Sequence, residues 1–502
     1  MKALGENRGF VSERRHAPLQ LGDVLVIGLG KSGKAACRYC AGLLGGRVRS
    51  LTVYAGPATD DALAFAAGFD AQGVSFVFGS ERIEGRFDLC IASPGISPFD
   101  GFYRNAQDAS TELISEVEFA WRESTCASRW IAISGTNGKT TTTALAAHIL
   151  ASAGYTAAAV GNIGETCLDA VRMGTTEVYV AEVSSYQLAS TSLFAPDVAV
   201  LLNITPDHLS WHQSHAAYVQ AKRRLFANLS APQDRQAGLR RWAIVDATND
   251  ESRGILKELR AIPDAARGFS CLPLGTKAGI EGDMRGLCGS TSAAFIDSEG
   301  MLRLALDGSE SCLGPVAGLQ IKGSHNAMNA LAAAGAALAL GASPQAVREA
   351  LATFAPLEHR IEPCGSVAGA DCYNDSKATN VDATLKALAA FVPLRPIVLL
   401  GGRDKGTALD DLVQGAVRYA KSVVCFGEAA ERFFDAFAAC GLPRYREASL
   451  EAALDKALAI ACAGDVVLLS PACASFDEFE SFEHRGKVFK GLVAQRARER
   501  GV

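Results

Sequence analysis

The 502-residue sequence lacks any run approaching the ~20 apolar residues of a membrane-spanning helix. The first residues, MKALGENRGFVSERRHAP, show neither the apolar segment nor the cleavage site of a secretory signal, so we expect a cytoplasmic protein that does not engage a membrane. A basic surface is missing too, because 49 Lys and Arg stand against 54 Asp and Glu, a net charge of −5. Nucleic acid is therefore not an expected partner.

Cysteines are present, but they lack the spacing of a disulfide framework or a metal site. The sequence contains 14 of them, and Cys37 and Cys40 form a lone CxxC without a second pair or neighbouring histidines. We expect ordinary reduced thiols, most of them buried. No segment has the pattern of an assembly element, and we expect a monomer.

The length allows three domains of ordinary size, and the apolar pattern predicts an α/β fold. Strands are predicted at DVLVIG, LTVYA and FDLCIAS in a first domain, residues 1–125. A second domain, residues 126–356, has strands at WIAIS, YVAEVS, VAVLLNI and WAIVD, a small β-layer with a hairpin at AAFIDSEGMLRLAL, and an alanine-rich helix. A third, residues 357–502, has strands at RPIVLLGG, SVVCFG and DVVLLSP.

The segment IAISGTNGKTTTTALAAHIL has the order strand, glycine loop, helix. It is shorter than a standard P-loop, because Ile133 stands where that motif has its first glycine. Gly135 and Gly138 let the backbone approach phosphate, and the amides that open the helix point at the anion. Lys139 would neutralise phosphate, and a threonine hydroxyl at the start of the helix suits Mg²⁺. The alternative is a glycine turn with a solvated lysine. We predict an ATP-binding loop made of Gly135, Thr136, Asn137, Gly138, Lys139, Thr140 and Thr141.

Acidic and imidazole groups follow later strands of the same domain. Glu182 ends YVAEV, and Asp207 and His208 follow VAVLLNI. Strand ends of a parallel sheet converge on the ligand crevice, where these groups could bind a hard cation directly or through water. Alone, each would be a surface or capping residue. For Lys222, in YVQAKRRLFANL, the pattern by itself favours a solvated helix face.

The loop GLGKSG, with glycines at 28, 30 and 33, matches GxGxxG. The next predicted strand ends in Tyr54, Ala55 and Gly56, with no acid to hold an adenosine ribose. A pyrophosphate other than that of NAD fits the loop equally well.

Together these motifs resemble the Mur ligase family from about residue 21 to the end. GTNGKTTT and HNAMNA are similar to motifs of the whole family, whereas NDSKATN and LLSPACASFDEFESFEHRG resemble its D-glutamate-adding member. The resemblance implies that ATP phosphorylates the carboxylate of UDP-N-acetylmuramoyl-L-alanine, and that the amine of D-glutamate attacks the acyl phosphate. It places this chemistry in peptidoglycan synthesis.

The resemblance implies that the first and third domains are Rossmann-like and that the second is a P-loop-type ATPase domain. It also implies residue roles. Phosphate and a first Mg²⁺ would be held by Lys139, Thr140 and Thr141 with Glu182, a second Mg²⁺ by His208, and Lys222 would be carried as a carbamate. The implied remaining nucleotide contacts are Asn329, Arg360 and Asp375. The implied contacts to the UDP-linked substrate are Lys31, Ser32, Ser93, Pro94, Gly95, Asn162 and His208. The implied D-glutamate contacts are Thr379, Lys405, Ser475 and Phe482.

This chain departs from the family pattern at the uridine side. Relatives commonly have an acid near the position of Tyr54 to hold uracil. They commonly have an apolar residue at position 31, where this chain has Lys31, and we expect Lys31 to contact pyrophosphate. Three alternatives stay open from the residues: another ligase of the family, a nucleotide-driven switch or transport ATPase, and an NAD dehydrogenase. Dependence of ATP turnover on an amine acceptor separates the ligase from the switch.

Overall fold

A computed structural model describes residues 11–231, 240–276, 292–404 and 406–500. The chain divides into two compact units. The first contains Met1–Ala317 and Met328–Leu351, and the second contains Gly318–Ala327 and Ala352–Val502.

The first sheet belongs to the first unit and is parallel throughout. Its strands are β1 Gly22–Ile27, β2 Val48–Ala55, β3 Ser75–Phe78, β4 Phe87–Ala92 and β5 Ser110–Ser115. Its helices are α1 Lys31–Ala41, α2 Asp60–Ala67, α3 Gly101–Ala109 and α4 Glu116–Glu123. The order β3-β2-β1-β4-β5 matches the first five strands of the Rossmann order 3-2-1-4-5-6. The three strands predicted here from continuous apolar runs are confirmed, because a parallel sheet buries both faces of such strands.

The second sheet also lies in the first unit. Its strands are β6 Arg129–Ser134, β7 Ala157–Gly161, β8 Val178–Glu182, β9 Val198–Leu201, β10 Arg241–Asp246, β11 Phe269–Thr276, β12 Ala293–Ile296, β13 Met301–Leu306 and β14 Ser309–Pro315. Helices along this part of the chain are α5 Lys139–Ser152, α6 Cys167–Met173, α7 Ser185–Ala189, α8 Leu209–His212, α9 His215–Arg223, α10 Asp250–Ala261, α11 Asp264–Arg267, α12 Ser324–Ala339 and α13 Pro344–Thr353.

Among the described residues this sheet has the order β14-β13-β12-β11-β10-β9-β6-β8-β7. Strand β6, which leads into the phosphate loop, lies between β9 and β8 and pairs in parallel with both. The predicted hairpin is confirmed, since β12 and β13 pair antiparallel. With β14 it extends the edge of the sheet beyond β11.

The third sheet forms the second unit. Its strands are β15 Glu362–Val367, β16 Ala370–Asn374, β17 Ile397–Gly401, β18 Ser422–Phe426, β19 Arg444–Arg446 and β20 Val466–Ala472. Its helices are α14 Val381–Ala389, α15 Asp410–Tyr419, α16 Ala430–Ala436, α17 Leu450–Ile460 and α18 Phe482–Glu499. The order is β15-β16-β20-β17-β18-β19, with only β15 antiparallel among these described strands. The predicted α/β class is confirmed.

The first two sheets are joined by hydrogen bonds from β5, α3 and α4 to the segment that follows α7. The Ser115 amide donates to the Ser190 carbonyl at 2.7 Å, and the Tyr103 hydroxyl lies 2.9 Å from Ser190 Oγ. Glu118, fully buried, accepts from the Leu193 amide at 2.8 Å. These contacts explain why both sheets fall within one compact unit.

Within the described ranges, no helix combines the length and apolar character needed to cross a membrane. Thirteen described cysteines are free thiols, and eight of them are buried, as predicted.

Candidate active site

The phosphate loop connects the end of β6 with the start of α5. Gly138 is the residue before the helix, and its φ of +88° is a left-handed conformation that favours glycine. A Cβ at Gly138 would lie 2.4 Å from Oδ1 of Asn329. Asn329, only 4% exposed, is thus brought against the loop as expected for a nucleotide contact. Thr140 and Thr141 lie in the first turn of α5, where helix geometry leaves amides available to an anion.

The phosphate loop also makes hydrogen bonds to two residues that were not predicted from the sequence as site residues, Asn203 and Tyr218. Asn203, two residues after β9, accepts from the Asn137 amide at 2.9 Å and donates to the Asn137 carbonyl at 3.1 Å. The Thr136 hydroxyl lies 2.8 Å from the Tyr218 hydroxyl of α9. The position of Asn203 at a strand end beside the phosphate strand was the signal that could have identified it.

Two lysines converge on the carbonyl of Gly135. Lys139 Nζ donates to it at 2.9 Å, and Lys222 Nζ donates to it at 2.8 Å. Lys222 is 1% exposed, so the solvated helix face favoured by the pattern alone is wrong. Burial and the nearby charge of Lys139 hold the pKa of Lys222 well below its ordinary value, against an opposing influence of Asp207. A buried amine of this kind is available in its neutral form, as carbamate formation requires.

Glu182 is the last residue of β8, in register with Ile133 of β6 and Gly161 of β7. It is 1% exposed and therefore not a surface carboxylate. Its Oε1 accepts from Nδ2 of Asn162 at 2.9 Å, whereas its Oε2 has no hydrogen-bond partner within the described parts of the chain. A buried carboxylate oxygen left unpaired beside a phosphate loop is the ligand type that Mg²⁺ prefers. The chemistry of Glu182 therefore fits a metal ligand, although the described residues contain no cluster of three or more His, Cys, Asp or Glu side chains that could hold a metal ion.

His208 precedes α8 in a left-handed conformation, with φ of +55°. Its ring lies 4.9 Å from that of Tyr186, which stacks at 4.3 Å on Trp211. His212, one turn further, is buried with Nε2 2.9 Å from Ser185 Oγ. Burial and the charges of His208 and Lys222 lower the pKa of His212 to about 4, so it stays neutral near neutral pH. His208 is the exposed member of this aromatic cluster, and its Nε2 lies 3.6 Å from Oδ2 of Asp207.

The residues predicted for the UDP side are brought together at the carboxyl edge of the first sheet. Ser93 Oγ donates to the Gly28 carbonyl at 3.1 Å, and a Cβ at Gly33 would lie 1.9 Å from the Gly28 carbonyl oxygen. Lys31 and the half-buried Ser32 open α1. Lys31 Nζ donates to the carbonyl of Gly164. The set assembled on this edge is Lys31, Ser32, Ser93, Pro94 and Gly95.

Tyr54, at the position where the sequence lacks an acid, is 3% exposed. Its hydroxyl accepts from the Glu84 amide at 2.9 Å, and its carbonyl accepts from the Gly28 amide at 2.8 Å. The Tyr54 side chain therefore holds the segment after β3, whereas its backbone carbonyl holds the start of the glycine loop.

In the second unit, Asp375 follows β16 and is buried. Its Oδ2 accepts from Ser470 Oγ at 2.8 Å, and its Oδ1 accepts from the Ile361 amide at 3.2 Å. Burial raises the pKa of Asp375 to about 7, against the hydrogen bond from Ser470 and the charge of Arg360. Arg360 and Asp375 are thus electrostatic neighbours, as two contacts to one nucleotide would be.

The residues predicted for D-glutamate lie on two loops and one helix of the second unit. Thr379 is half-buried after β16, Ser475 is buried after β20, and Phe482 opens α18. The Ser376 hydroxyl donates to the Phe482 carbonyl at 2.8 Å. Lys405 lies outside the described residues.

Arg485 of α18 lies in the motif LLSPACASFDEFESFEHRG, and the sequence indicates no role for it. It is fully buried, and its guanidinium donates to Ser376 Oγ at 2.9 Å and to the Cys473 carbonyl at 3.1 Å. It therefore ties the loop that leads to Thr379 to the loop that leads to Ser475. A buried arginine bonded to hydroxyl and carbonyl groups could not be recognised from sequence, where arginine normally indicates a surface.

Comparison with known proteins finds relatives over most of the chain. Residues 133–264 match the Mur ligase middle domain, and residues 359–473 match the Mur ligase glutamate ligase domain. The chain is 36% identical to the UDP-N-acetylmuramoylalanine–D-glutamate ligase of Ralstonia nicotianae, covering 95% of this chain and 98% of that protein. It is 34% identical to the enzyme of the same name from Paraburkholderia xenovorans, covering 95% and 97%.

Solved structures share the fold at much lower identity. A pseudomurein peptide ligase type C from Methanothermus fervidus aligns with a TM-score of 0.54 at 17% identity, covering 94% of this chain and 99% of that one. The MurF ligase from Thermotoga maritima in complex with ADP aligns with a TM-score of 0.53 at 15% identity, covering 83% and 97%.

Proposed function

This chain belongs to the Mur ligase family, and from that membership we infer its reaction and the residues that perform it. Its function is the ATP-dependent addition of D-glutamate to UDP-N-acetylmuramoyl-L-alanine in peptidoglycan synthesis. The competing switch ATPase and dehydrogenase interpretations have no support in relatives of this similarity and coverage.

The observation that carries the residue assignment is the arrangement around the Gly135 carbonyl. Lys139 and Lys222 both donate to it, and Glu182 ends the strand next to β6 with a buried oxygen unpaired among the described residues. A phosphate-binding loop beside a buried lysine and a buried carboxylate can gather negative charge and a metal at one place. That is what phosphoryl transfer to a carboxylate requires.

We propose that the γ-phosphate of ATP is transferred to the carboxylate of the UDP-linked substrate. The substrate oxygen bonds to phosphorus and ADP leaves, giving an acyl phosphate. The amine of D-glutamate then attacks the acyl carbon, phosphate leaves, and a proton is lost to give the amide. Lys139 and the first amides of α5 stabilise the charge that moves during the first transfer.

For the metal, we propose Glu182 with Thr140 or Thr141 at a first Mg²⁺ and His208 at a second. When bound, Mg²⁺ would neutralise phosphate oxygens and lower the cost of bringing two anions together. We propose that the neutral Lys222 amine bonds to the carbon of CO₂ and loses a proton to give a carbamate, an anion that would support the metal site. The neutral amine favoured by burial supports this assignment.

The other proposed contacts follow the motifs. Asn329, Arg360 and Asp375 serve the nucleotide. The UDP-linked substrate is served by the edge of the first sheet with Asn162, and D-glutamate by Thr379, Lys405, Ser475 and Phe482. We also propose a monomer. We propose domains at residues 1–125, 126–356 and 357–502, because each of these ranges contains one of the three sheets.

The residue assignment is tested by trapping the acyl phosphate. Enzyme, ATP, Mg²⁺ and UDP-N-acetylmuramoyl-L-alanine are incubated with hydroxylamine instead of D-glutamate, and the hydroxamate is measured by mass spectrometry. We expect hydroxamate from the wild type and at least about a hundredfold less from Glu182→Gln. Glu177→Gln, an exposed residue just before the same strand, is the matched control and should form normal amounts.

Two results would contradict the assignment. One is the absence of hydroxamate from an enzyme that completes the full reaction, which would reject the acyl phosphate. The other is a Glu182→Gln variant as active as Glu177→Gln, which would remove Glu182 from the metal site. Carbamylation is read separately from the carbamate carbon signal in ¹³C NMR with labelled bicarbonate, which Lys222→Met should abolish.

A further inference from the structure

The turn between β7 and α6 holds the carboxylate assigned to the metal. Asn162, in this turn, donates from Nδ2 to Glu182 Oε1 at 2.9 Å, and its amide donates to the Glu182 carbonyl at 3.1 Å. We call residues 161–168, from the last residue of β7 to the second residue of α6, the Asn162 turn. Any shift of this turn would move the partner that orients Glu182.

Two side chains from helices that follow strands of the first sheet bind this turn. Lys31 Nζ donates to the carbonyl of Gly164, in the middle of the turn. Glu116 Oε1 accepts from the amide of Leu168, at its end, at 2.6 Å. Lys31 is exposed, whereas Glu116 is 1% exposed.

Both side chains come from the edge that carries the predicted UDP contacts. Lys31 opens α1 after β1, and Glu116 opens α4 directly after β5. Strand β4, which ends beside Ser93, lies between β1 and β5. Residues at one edge of the first sheet therefore bind the Asn162 turn at two points. The Asn162 turn in its turn donates hydrogen bonds to Glu182.

We propose that Lys31 and Glu116 are positioning residues for the phosphoryl-transfer step, acting through the Asn162 turn on Asn162 and Glu182. The inference rests on the proposed role of Glu182 and adds a physical link from the UDP side to the reacting groups. Lys31 then has a role beyond a direct contact with pyrophosphate.

A pyrophosphate contact by Lys31 alone makes different predictions. It would be equally strong in the ground and transition states, so its loss would raise KM for the UDP-linked substrate and leave kcat unchanged. It would also be independent of Glu116. Loss of positioning lowers kcat, and two residues that hold one turn have non-additive effects.

The experiment measures kcat and KM for each substrate with Lys31→Met, Glu116→Met and the double variant. Conservative variants are Lys31→Arg, which can still donate to Gly164, and Glu116→Gln, whose amide oxygen can still accept from Leu168. Lys34→Met is the matched control, because Lys34 lies on the same helix but pairs with the exposed Asp61. Thermal unfolding of every variant establishes that it is folded.

We expect each Met variant to lose about tenfold to a hundredfold in kcat, since small misplacements remote from the chemistry cost up to about 10²-fold. The double variant should be close to the worse single variant. Arg and Gln variants should recover kcat, and Lys34→Met should match the wild type.

The inference is overturned if kcat is unchanged and only KM for the UDP-linked substrate rises, or if the two losses multiply. If Glu116→Met does not fold, the kcat and KM values of Lys31→Met test the inference alone, because Lys31 is exposed. A lower kcat supports positioning, and a higher KM with unchanged kcat contradicts it. A wild type without D-glutamate-dependent phosphate release would overturn the proposed function and this inference together, whereas an active wild type with unaffected variants would overturn only this inference.

Discussion

Replacing Asn203 by alanine should weaken ATP binding, because this residue braces the phosphate loop. Its side chain makes two hydrogen bonds to the backbone of Asn137, at 2.9 and 3.1 Å. Each such bond contributes about 0.5–1.5 kcal/mol, so the loop loses about 1–3 kcal/mol of preorganisation. At 1.4 kcal/mol per tenfold, KM for ATP should rise between about fivefold and about 150-fold.

The assay is phosphate release at varied ATP with both other substrates saturating. Asn228→Ala is the matched control, since Asn228 is also half-buried and donates to two backbone carbonyls, those of Ser192 and Phe194. It should cost similar stability without changing KM for ATP. Equal KM values for Asn203→Ala and Asn228→Ala would refute the bracing role, because the loop would then keep its shape without the two bonds.

Three further substitutions test other parts of the site. Gly138→Ala should raise KM for ATP at least about tenfold, because a left-handed residue costs about 1–2 kcal/mol and the new Cβ would strike Asn329; an unchanged KM would contradict the fit. Lys222→Met should abolish turnover while keeping or raising the melting temperature, since a buried lysine with a lowered pKa opposes folding; a large loss of stability would show that the amine is structural. Arg485→Met should lower unfolding free energy by about 2–5 kcal/mol and raise KM for D-glutamate, because the bonded carbonyls lose their donor; unfolding by denaturant and D-glutamate titration would show whether either effect is absent.

The sequence predicted the fold because each strand reads as a short apolar run that ends in glycine, acid or polar residues. It also predicted that Glu182 ends a strand on the same sheet edge as the phosphate loop, since parallel strands place their carboxyl ends on one edge. In the structure Glu182 pairs with Ile133 of β6, the strand that leads into the phosphate loop.

What the sequence could not predict are the contacts made by helices far away in the chain. The pattern around Lys222 indicates an exposed face, and only the packing of α9 against the loop buries the amine beside Gly135. The sequence likewise gives no sign that Glu116 and Arg485 are buried, because charged side chains normally lie on the surface. Their burial depends on partners more than 50 residues away, at Leu168 and Ser376.

The most direct test of the central claim is phosphate release with ATP, Mg²⁺ and UDP-N-acetylmuramoyl-L-alanine, adding D-glutamate, L-glutamate, L-lysine or diaminopimelate in turn. The account predicts release that requires D-glutamate, with a product heavier by one glutamyl residue. Release with a different amino acid alone would contradict the assignment of Thr379, Ser475 and Phe482 to D-glutamate, and release without any acceptor would contradict the ligase itself.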